Sequence, residues 1–436
     1  MPTQLDASTD LTFVAQPRRP VPVPDCGPGT RSGSRLSEQQ AGVLVELGHS
    51  WRPGDATVLL AGIRRAVDLG APLTLCHRGA GGMSLLRAAA AEHPGLRVRE
   101  RIRDLDGQLC KQPAPHWRRR PLASGPAEHS GAVAITGGLG GIGLRLATHF
   151  GQLNHPIWLL DRRPVSSLPA ASQHALSRLA GRTRVVVSQV DVRTGCGAAP
   201  FPIRHLIAAA GELELSPVAD LTADELERSA DAKAAALRRC TEDLLGSGLR
   251  SVLAFGSVES RCPHRGFGNY ALANELLRLE ADRLCARFPR LRLVTAEWSL
   301  WSEVGMAAAA ARFAGLAGFA VVPADWGVLA SATLLARAGD LPAGLALGGP
   351  QSDADQPVRA IAGIGGSSHS LQQRSVRRLI SLCRHGQATR RPAAATPDIR
   401  TEPGSRPVLR AVVRGRRLGT WASTPHSWES VAGGER

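Results

Sequence analysis

The chain has 436 residues, 43% hydrophobic and only 4% aromatic, enough apolar material for one or two α/β cores filled by aliphatic side chains. Its formal net charge of +16 is carried mostly by the ends, because residues 131–350 hold 22 basic against 19 acidic residues, and this near-neutral centre argues against nucleic-acid binding. Eight scattered cysteines with no CxxC and no histidine at ligand spacing exclude a zinc or disulfide framework, and the absence of a signal-like start or of an apolar run of about 18 residues points to a soluble, cytoplasmic protein that needs no membrane.

Residues 1–38, rich in Pro, Ser, Gly and Arg, are expected to form a disordered leader. Residues 39–125 hold a first α/β region. ATVLLAGIRRAVDLG suits a strand or a helix, APLTLCHRG a strand, and MSLLRAAAAEHPG a helix closed by Gly95. LRVRERIRDLDG alternates apolar and polar residues, as a strand should. GHSWR at Gly48–Arg52 begins like a nucleophile elbow, but Arg52 stands where that turn needs a small residue. A Pro- and Arg-rich connector leads to residue 130.

A second α/β unit, residues 131–350, opens with the apolar run AVAIT. Further strands are expected at Pro156–Leu160, Arg184–Val190, His205–Ala209, Ser251–Phe255 and Arg292–Glu297, with helices over Ala223–Leu245 and Tyr270–Phe288. This alternation implies a Rossmann-like, doubly wound parallel sheet covered on both faces. DVRTGCGAAPFPI, between two of these strands, leaves little room for a crossover helix. Residues 351–436 read as a basic, largely disordered tail, with one short helix candidate at Ser375–Cys383.

The chemistry concentrates in the second unit. In AVAITGGLGGIGLRLA, a strand runs into Gly138-x-Gly140-x-x-Gly143 and then into a helix. Such a turn lets backbone amides approach a pyrophosphate at a helix N-terminus. The next strand ends in Asp161, Arg162 and Arg163; an acid there suits the ribose of NAD, and guanidinium groups suit the 2′-phosphate of NADP, so two arginines favour NADPH. Asp191 follows the third strand, where it can accept the adenine amino group or simply serve its own turn.

Tyr270 is the only tyrosine in the chain, thirteen residues after Ser257 and four before Asn274. A carbonyl that accepts hydride must also take a proton, and a phenol with a pKa of about 10 needs a cation to release one near neutrality. Lys233 is one of only two lysines, beside 51 arginines, and lies on a neighbouring helix. Ser257 can orient the carbonyl oxygen.

TGGLGGIG, LIAAAG, PVADLTADELERSADAKAAAL, FGSVESRCPHRGFGNYALAN and EWSLWSEVGMA occur in one order over residues 132–350. In these the chain resembles the ketoreductase domains of modular polyketide synthases, within the short-chain dehydrogenase/reductase superfamily. LLRAAAAEHPGLRVR and WRRRPL resemble the end of that family's structural subdomain, which looks truncated here. The resemblance implies a β-ketoacyl thioester substrate on the phosphopantetheine arm of an acyl carrier protein, reduced with NADPH alongside other polyketide synthase subunits. It implies Tyr270 as proton donor, Ser257 on the carbonyl, and Lys233 with Asn274 tuning the phenol and completing a water relay. It places Thr136, Ala209 and Gly211 with the glycines at the cofactor, and Trp301, Gly305 and Met306 at the substrate entrance. Two stereochemical markers fail: Leu215 replaces an aspartate after Leu213 and Glu214, and Cys262 stands where one class has tryptophan. The alternative is a catalytically silent remnant used as a scaffold.

Overall fold

The computed structural model describes residues 12–16, 35–39, 42–103, 108–109, 118–121, 130–261, 263–306, 321–338, 344–347, 408–413, 416–423 and 428–431. The chain forms two compact units, Met1–Gly386 and Gln387–Arg436. Ser375–Cys383 and Cys262 lie outside the described residues.

The first unit is built on a nine-stranded sheet. Its parallel body comprises β7 (Ala132–Thr136), β8 (Ile157–Asp161), β9 (Val185–Gln189), β10 (Ile203–Ala208), β11 (Ser251–Ser257), β12 (Arg292–Trp298) and β15 (Gly344–Leu347). AVAIT in β7 and IWLLD in β8 are buried at every position, as expected of strands covered on both faces. The strand order β15-β12-β11-β10-β7-β8-β9 reverses between β7 and β10, which creates a crevice at the carboxyl ends of those strands.

The helices follow the expected alternation: α3 (Gly141–Gln152), α4 (Ala170–Ala180), α5 (Ala223–Ala230), α6 (Ala236–Leu245), α7 (Gly268–Arg287) and α8 (Ala324–Ala336). α5 starts on a capping box in which Thr222 and Glu225 satisfy each other's backbone amides. The segment expected as one helix over Ala223–Leu245 is instead interrupted by a π-helical turn, Asp231–Ala235. The crossover from β9 to β10 contains only a 3-10 turn, Val192–Thr194, held by Asp243 Oδ2, which accepts the Cys196 and Gly197 amides at 2.8 and 3.2 Å. Among the described residues the crossover itself supplies no α-helix, and Val186, which faces this side of β9, is only partly buried.

A four-stranded sheet forms the N-terminal subdomain in the order β2 (Arg35–Gln39), β3 (Gly42–Glu46), β4 (Leu73–His77), β5 (Val98–Ile102). Only β2 is antiparallel to its neighbour, and α1 (Asp55–Leu69) and α2 (Met83–Glu92) complete the layer. ATVLLAGIRRAVDLG, open between strand and helix in sequence, is therefore mostly α1. This sheet does not enclose a separate core: Val45, Leu59, Leu75 and Leu85 pack in one buried cluster with Leu226 and Leu272 of the second α/β unit.

The leader expected to be disordered supplies two strands. β1 (Thr12–Gln16) pairs antiparallel with β15 and with β6 (Arg118–Pro121) at one edge of the large sheet. β2 opens the small sheet. Leader composition is dominated by turn-forming residues, but TFVAQ is a short strand-forming island whose ladder bonds come from residues over 100 positions away.

Two further described strands, β13 (Leu300–Trp301) and β14 (Val321–Val322), pair in parallel near the end of β12. In the second unit β16 (Val408–Val413), β17 (Arg416–Ser423) and β18 (Trp428–Val431) form an antiparallel meander, so the tail also carries strands where none was expected. Among the described residues, no helix is long and apolar enough to cross a membrane.

Candidate active site

β7 enters α3 through a glycine turn at the sheet's reversal point. Gly137 adopts φ +66°, and a Cβ there would lie 3.0 Å from Ala210 Cα. A Cβ on Gly143 would come within 2.4 Å of the Gly137 carbonyl oxygen, so both positions require glycine. Gly137 was not among the expected fingerprint residues, because its requirement comes from a tertiary neighbour rather than the triplet spacing. The N-cap of α3, Gly140, provides no side-chain cap, which leaves the first amides of α3 free to serve an anion. The Thr136 hydroxyl, buried below the turn, accepts the Ala210 amide at 3.1 Å. This ties the glycine turn to Ala209 and Gly211 on the next strand's exit.

The acid and arginines after β8 have distinct partners. Asp161 accepts the Leu139 amide at 3.1 Å and the Nε and Nη2 of Arg163 at 3.0 and 2.9 Å. Burial alone would push the Asp161 carboxyl up, but its bonds to Arg163 and Leu139 win and hold it below the usual range. Asp161 thus supports the glycine turn and neutralises Arg163. The Arg163 Nη2 lies 3.9 Å from where a Gly140 Cβ would stand, which puts its guanidinium beside the turn. Arg162 is well exposed and pairs with Glu212. Asp191 caps its own 3-10 turn, accepting the Arg193 amide at 3.0 Å and pairing with the Arg193 guanidinium. Its turn role is therefore filled without a ligand.

Lys233, Ser257 and Tyr270 come together from three elements to line one cleft. Lys233 sits in the π-helical turn, a distortion that often marks functional sites. Its Nζ donates to the Phe255 carbonyl at 2.8 Å and lies 5.9 Å from the Tyr270 ring centroid. Burial lowers its pKa from 10.5 to about 8. A Cβ on Gly211 would come within 3.1 Å of the same Nζ, so Gly211 makes room for the lysine. Ser257 ends β11, and its Oγ accepts the Glu259 amide at 3.3 Å. Burial raises the pKa of the Tyr270 phenol, the nearby Glu259 charge adds to this, and hydrogen bonding to Ser257 and Asn274 opposes it.

Asn274 lies one turn along α7 from Tyr270. Its Nδ2 donates to the Tyr270 backbone carbonyl at 2.7 Å, and its buried Oδ1 has no partner among the described residues. That oxygen can accept from a water without losing an existing bond.

The expected entrance residues also line the cleft, but in different roles. Trp301 is a buried wall, edge-on to Trp298 with ring centroids 5.1 Å apart. It packs directly over α8, where a Cβ on Gly327 would fall 2.5 Å from the ring. Gly305 turns the chain at φ +97°, and Met306 is 48% exposed at the rim.

Glu259 and Phe267 are lining residues that sequence reasoning missed. Glu259 is buried and accepts the His264 amide at 2.8 Å, with His264 Nδ1 at 2.7 Å from its other oxygen. An acid two residues after Ser257 was the available signal, but only the 3-10 turn Val258–Ser260 directs it to the cleft. No group of three or more His, Cys, Asp or Glu side chains that could hold a metal occurs among the described residues.

Residues 131–303 match the family model of the KR domain. A polyketide synthase GfsA of Streptomyces halstedii is 30% identical over 270 residues, covering 52% of this chain and 3% of that protein. A mycocerosic acid synthase-like polyketide synthase of Mycobacterium tuberculosis is 30% identical over 262 residues, covering 56% of this chain and 11% of that protein. The chain therefore spans a small part of the length of these curated relatives. Among solved structures, a ketoreductase from the first module of phoslactomycin biosynthesis in Streptomyces sp. HK803 superposes with TM-score 0.56 at 21% identity, over 70% of this chain and 81% of that one. The first ketoreductase of the tylosin polyketide synthase gives 0.55 at 22%, over 75% and 82%. At these identities the structural likeness establishes the fold.

Proposed function

We propose, from a chain whose residues 131–303 form a KR domain of the modular polyketide synthase kind, that it reduces a β-ketoacyl thioester carried by an acyl carrier protein to the β-hydroxyacyl thioester with NADPH. The observation that supports this most directly is the convergence of Lys233, Ser257 and Tyr270 on one cleft beside the glycine turn.

The residues at the reversal point fit a dinucleotide. The amides of the Gly137–Gly143 turn would hold the pyrophosphate, and Arg163 with Arg162 would meet a 2′-phosphate. When bound, the nicotinamide supplies the hydride. Ser257 donates a hydrogen bond to the substrate carbonyl, and Tyr270 delivers the phenolic proton to the oxygen as it becomes an alkoxide. Lys233 stabilises the phenolate left behind, and Asn274 Oδ1 accepts a water that returns the proton. Trp298 and Trp301 give the cleft apolar walls, which strengthen these charge interactions by excluding water.

Cofactor choice is the accessible test. Asp161 is neutralised by Arg163, so the site should favour a phosphate over a bare ribose diol. Fluorescence titration of the purified chain should give tighter binding of NADPH than NADH by about tenfold or more, the scale of one or two solvent-screened charge-assisted bonds. Equal affinities would mean that Asp161 governs the ribose. Binding of neither would favour a silent scaffold, a reading to which the partly bare β9 lends some support.

A further inference from the structure

Helix α2 of the N-terminal subdomain is held at both ends by carboxylates that join it to the catalytic segment. At its start, the N-cap Gly82 has no side chain to serve the first amides. Glu275 Oε2, from α7, accepts the Gly82 amide at 3.2 Å, the Ser84 amide at 2.9 Å and the Ser84 hydroxyl at 2.7 Å. Glu275 is 5% exposed. A carboxylate that buried needs donors to replace its lost water, and a helix N-terminus supplies both orphan amides and a positive dipole end.

At the other end of α2, Glu92 accepts the Gly266 amide at 2.8 Å and the Val218 amide at 2.7 Å. Gly266 belongs to the loop that leads into Tyr270. Between these anchors the first turn of α7 lies flush on α2, since a Cβ on Gly268 would stand 3.0 Å from Leu85 Cδ1.

Glu275 directly follows Asn274 and comes five residues after Tyr270. At about 100° per residue, it projects roughly 140° around α7 from the phenol. The helix is thus gripped on the side away from the cleft. We propose that Glu275 is a positioning residue: by capping α2 it fixes the rotation of α7, and so aims Tyr270 and Asn274. The consequence for turnover rests on the reductase reading, whereas the placement of Tyr270 can be read without it.

Tyr270 being the only tyrosine, the full chain grown with 3-fluorotyrosine carries a single fluorine reporter at the catalytic position. Glu275→Ala should shift or broaden that one resonance while circular dichroism stays that of the parent. With NADPH and a β-ketoacyl thioester, its kcat should fall by about ten- to a hundredfold, the usual result of displacing a catalytic group by about an ångström, with KM changed far less. Glu275→Gln retains an oxygen for the two amides and should restore most of both readouts. Ser84→Ala removes one of the three bonds and gives a milder variant should Glu275→Ala fail to fold; it should move the resonance in the same direction. A folded Glu275→Ala or Ser84→Ala protein with the parent's resonance would overturn the proposal, whatever its turnover. A displaced resonance in a chain whose parent reduces nothing would uphold the positioning role and sink only the reductase reading.

Discussion

Tyr270→Phe should bind NADPH like the parent and reduce a β-ketoacyl thioester at least about a hundredfold more slowly, the usual scale of lost general acid catalysis. The change deletes one hydroxyl and keeps the ring, which packs edge-on against Phe267 with centroids 6.5 Å apart. Ser257 would still hold the carbonyl, so the loss should appear in kcat rather than KM. A phenylalanine variant with parental turnover would make Tyr270 a packing residue and remove the proton donor from the scheme. Because Tyr270 is the sole tyrosine, the pH-dependent change in near-ultraviolet phenolate absorbance, read as a difference against the eight tryptophans, reports the ionisation of this one phenol.

The second large effect concerns Lys233 and has opposite signs for stability and activity. Burial lowers the Lys233 pKa from 10.5 to about 8. Between those values the unfolded chain holds the proton and the folded chain does not, so stability rises with pH across that window; below about pH 8 the penalty is fully present. Lys233→Met removes it. The shift corresponds to about 3 kcal/mol, less about 1 kcal/mol for leaving the Phe255 carbonyl without its donor, so the variant should be more stable by about 2 kcal/mol at pH 7. Denaturant unfolding at pH 7 and pH 10 should show the gain shrinking at the higher pH. Turnover should fall, and the limb set by phenol ionisation should move to higher pH because no cation stabilises the phenolate. A destabilised variant with unchanged turnover would show that Lys233 is a structural donor to Phe255 and nothing more.

The parts of this site that sequence displayed are those in which local spacing and tertiary placement coincide. AVAIT followed by glycines announced a buried strand and a tight turn into a helix, and the Ser257–Tyr270–Asn274 spacing follows from a strand running into a helix. Lys233 was legible only because lysine is so rare here; the π-turn that holds it interrupts the helix where it packs against α7, and DAKAA carries no sign of that. The part Asp161 plays as acceptor of the Leu139 amide and the Arg163 side chain was equally hidden, since both bonds are set by placement in space. β1 went unseen because a five-residue strand in Pro-rich surroundings owes its existence to partners at β6 and β15. Glu275 reads in sequence as one more helix acid, and its function exists only where α2 meets α7.

The most direct test of the whole account is product formation. Purified chain, NADPH and a β-ketoacyl N-acetylcysteamine thioester, a small mimic of the carrier-bound substrate, should give β-hydroxyacyl thioester in equimolar amount with NADPH consumed, and Tyr270→Phe should abolish both together. NADPH binding without any hydroxy product, or equal product from the parent and Tyr270→Phe, would contradict it.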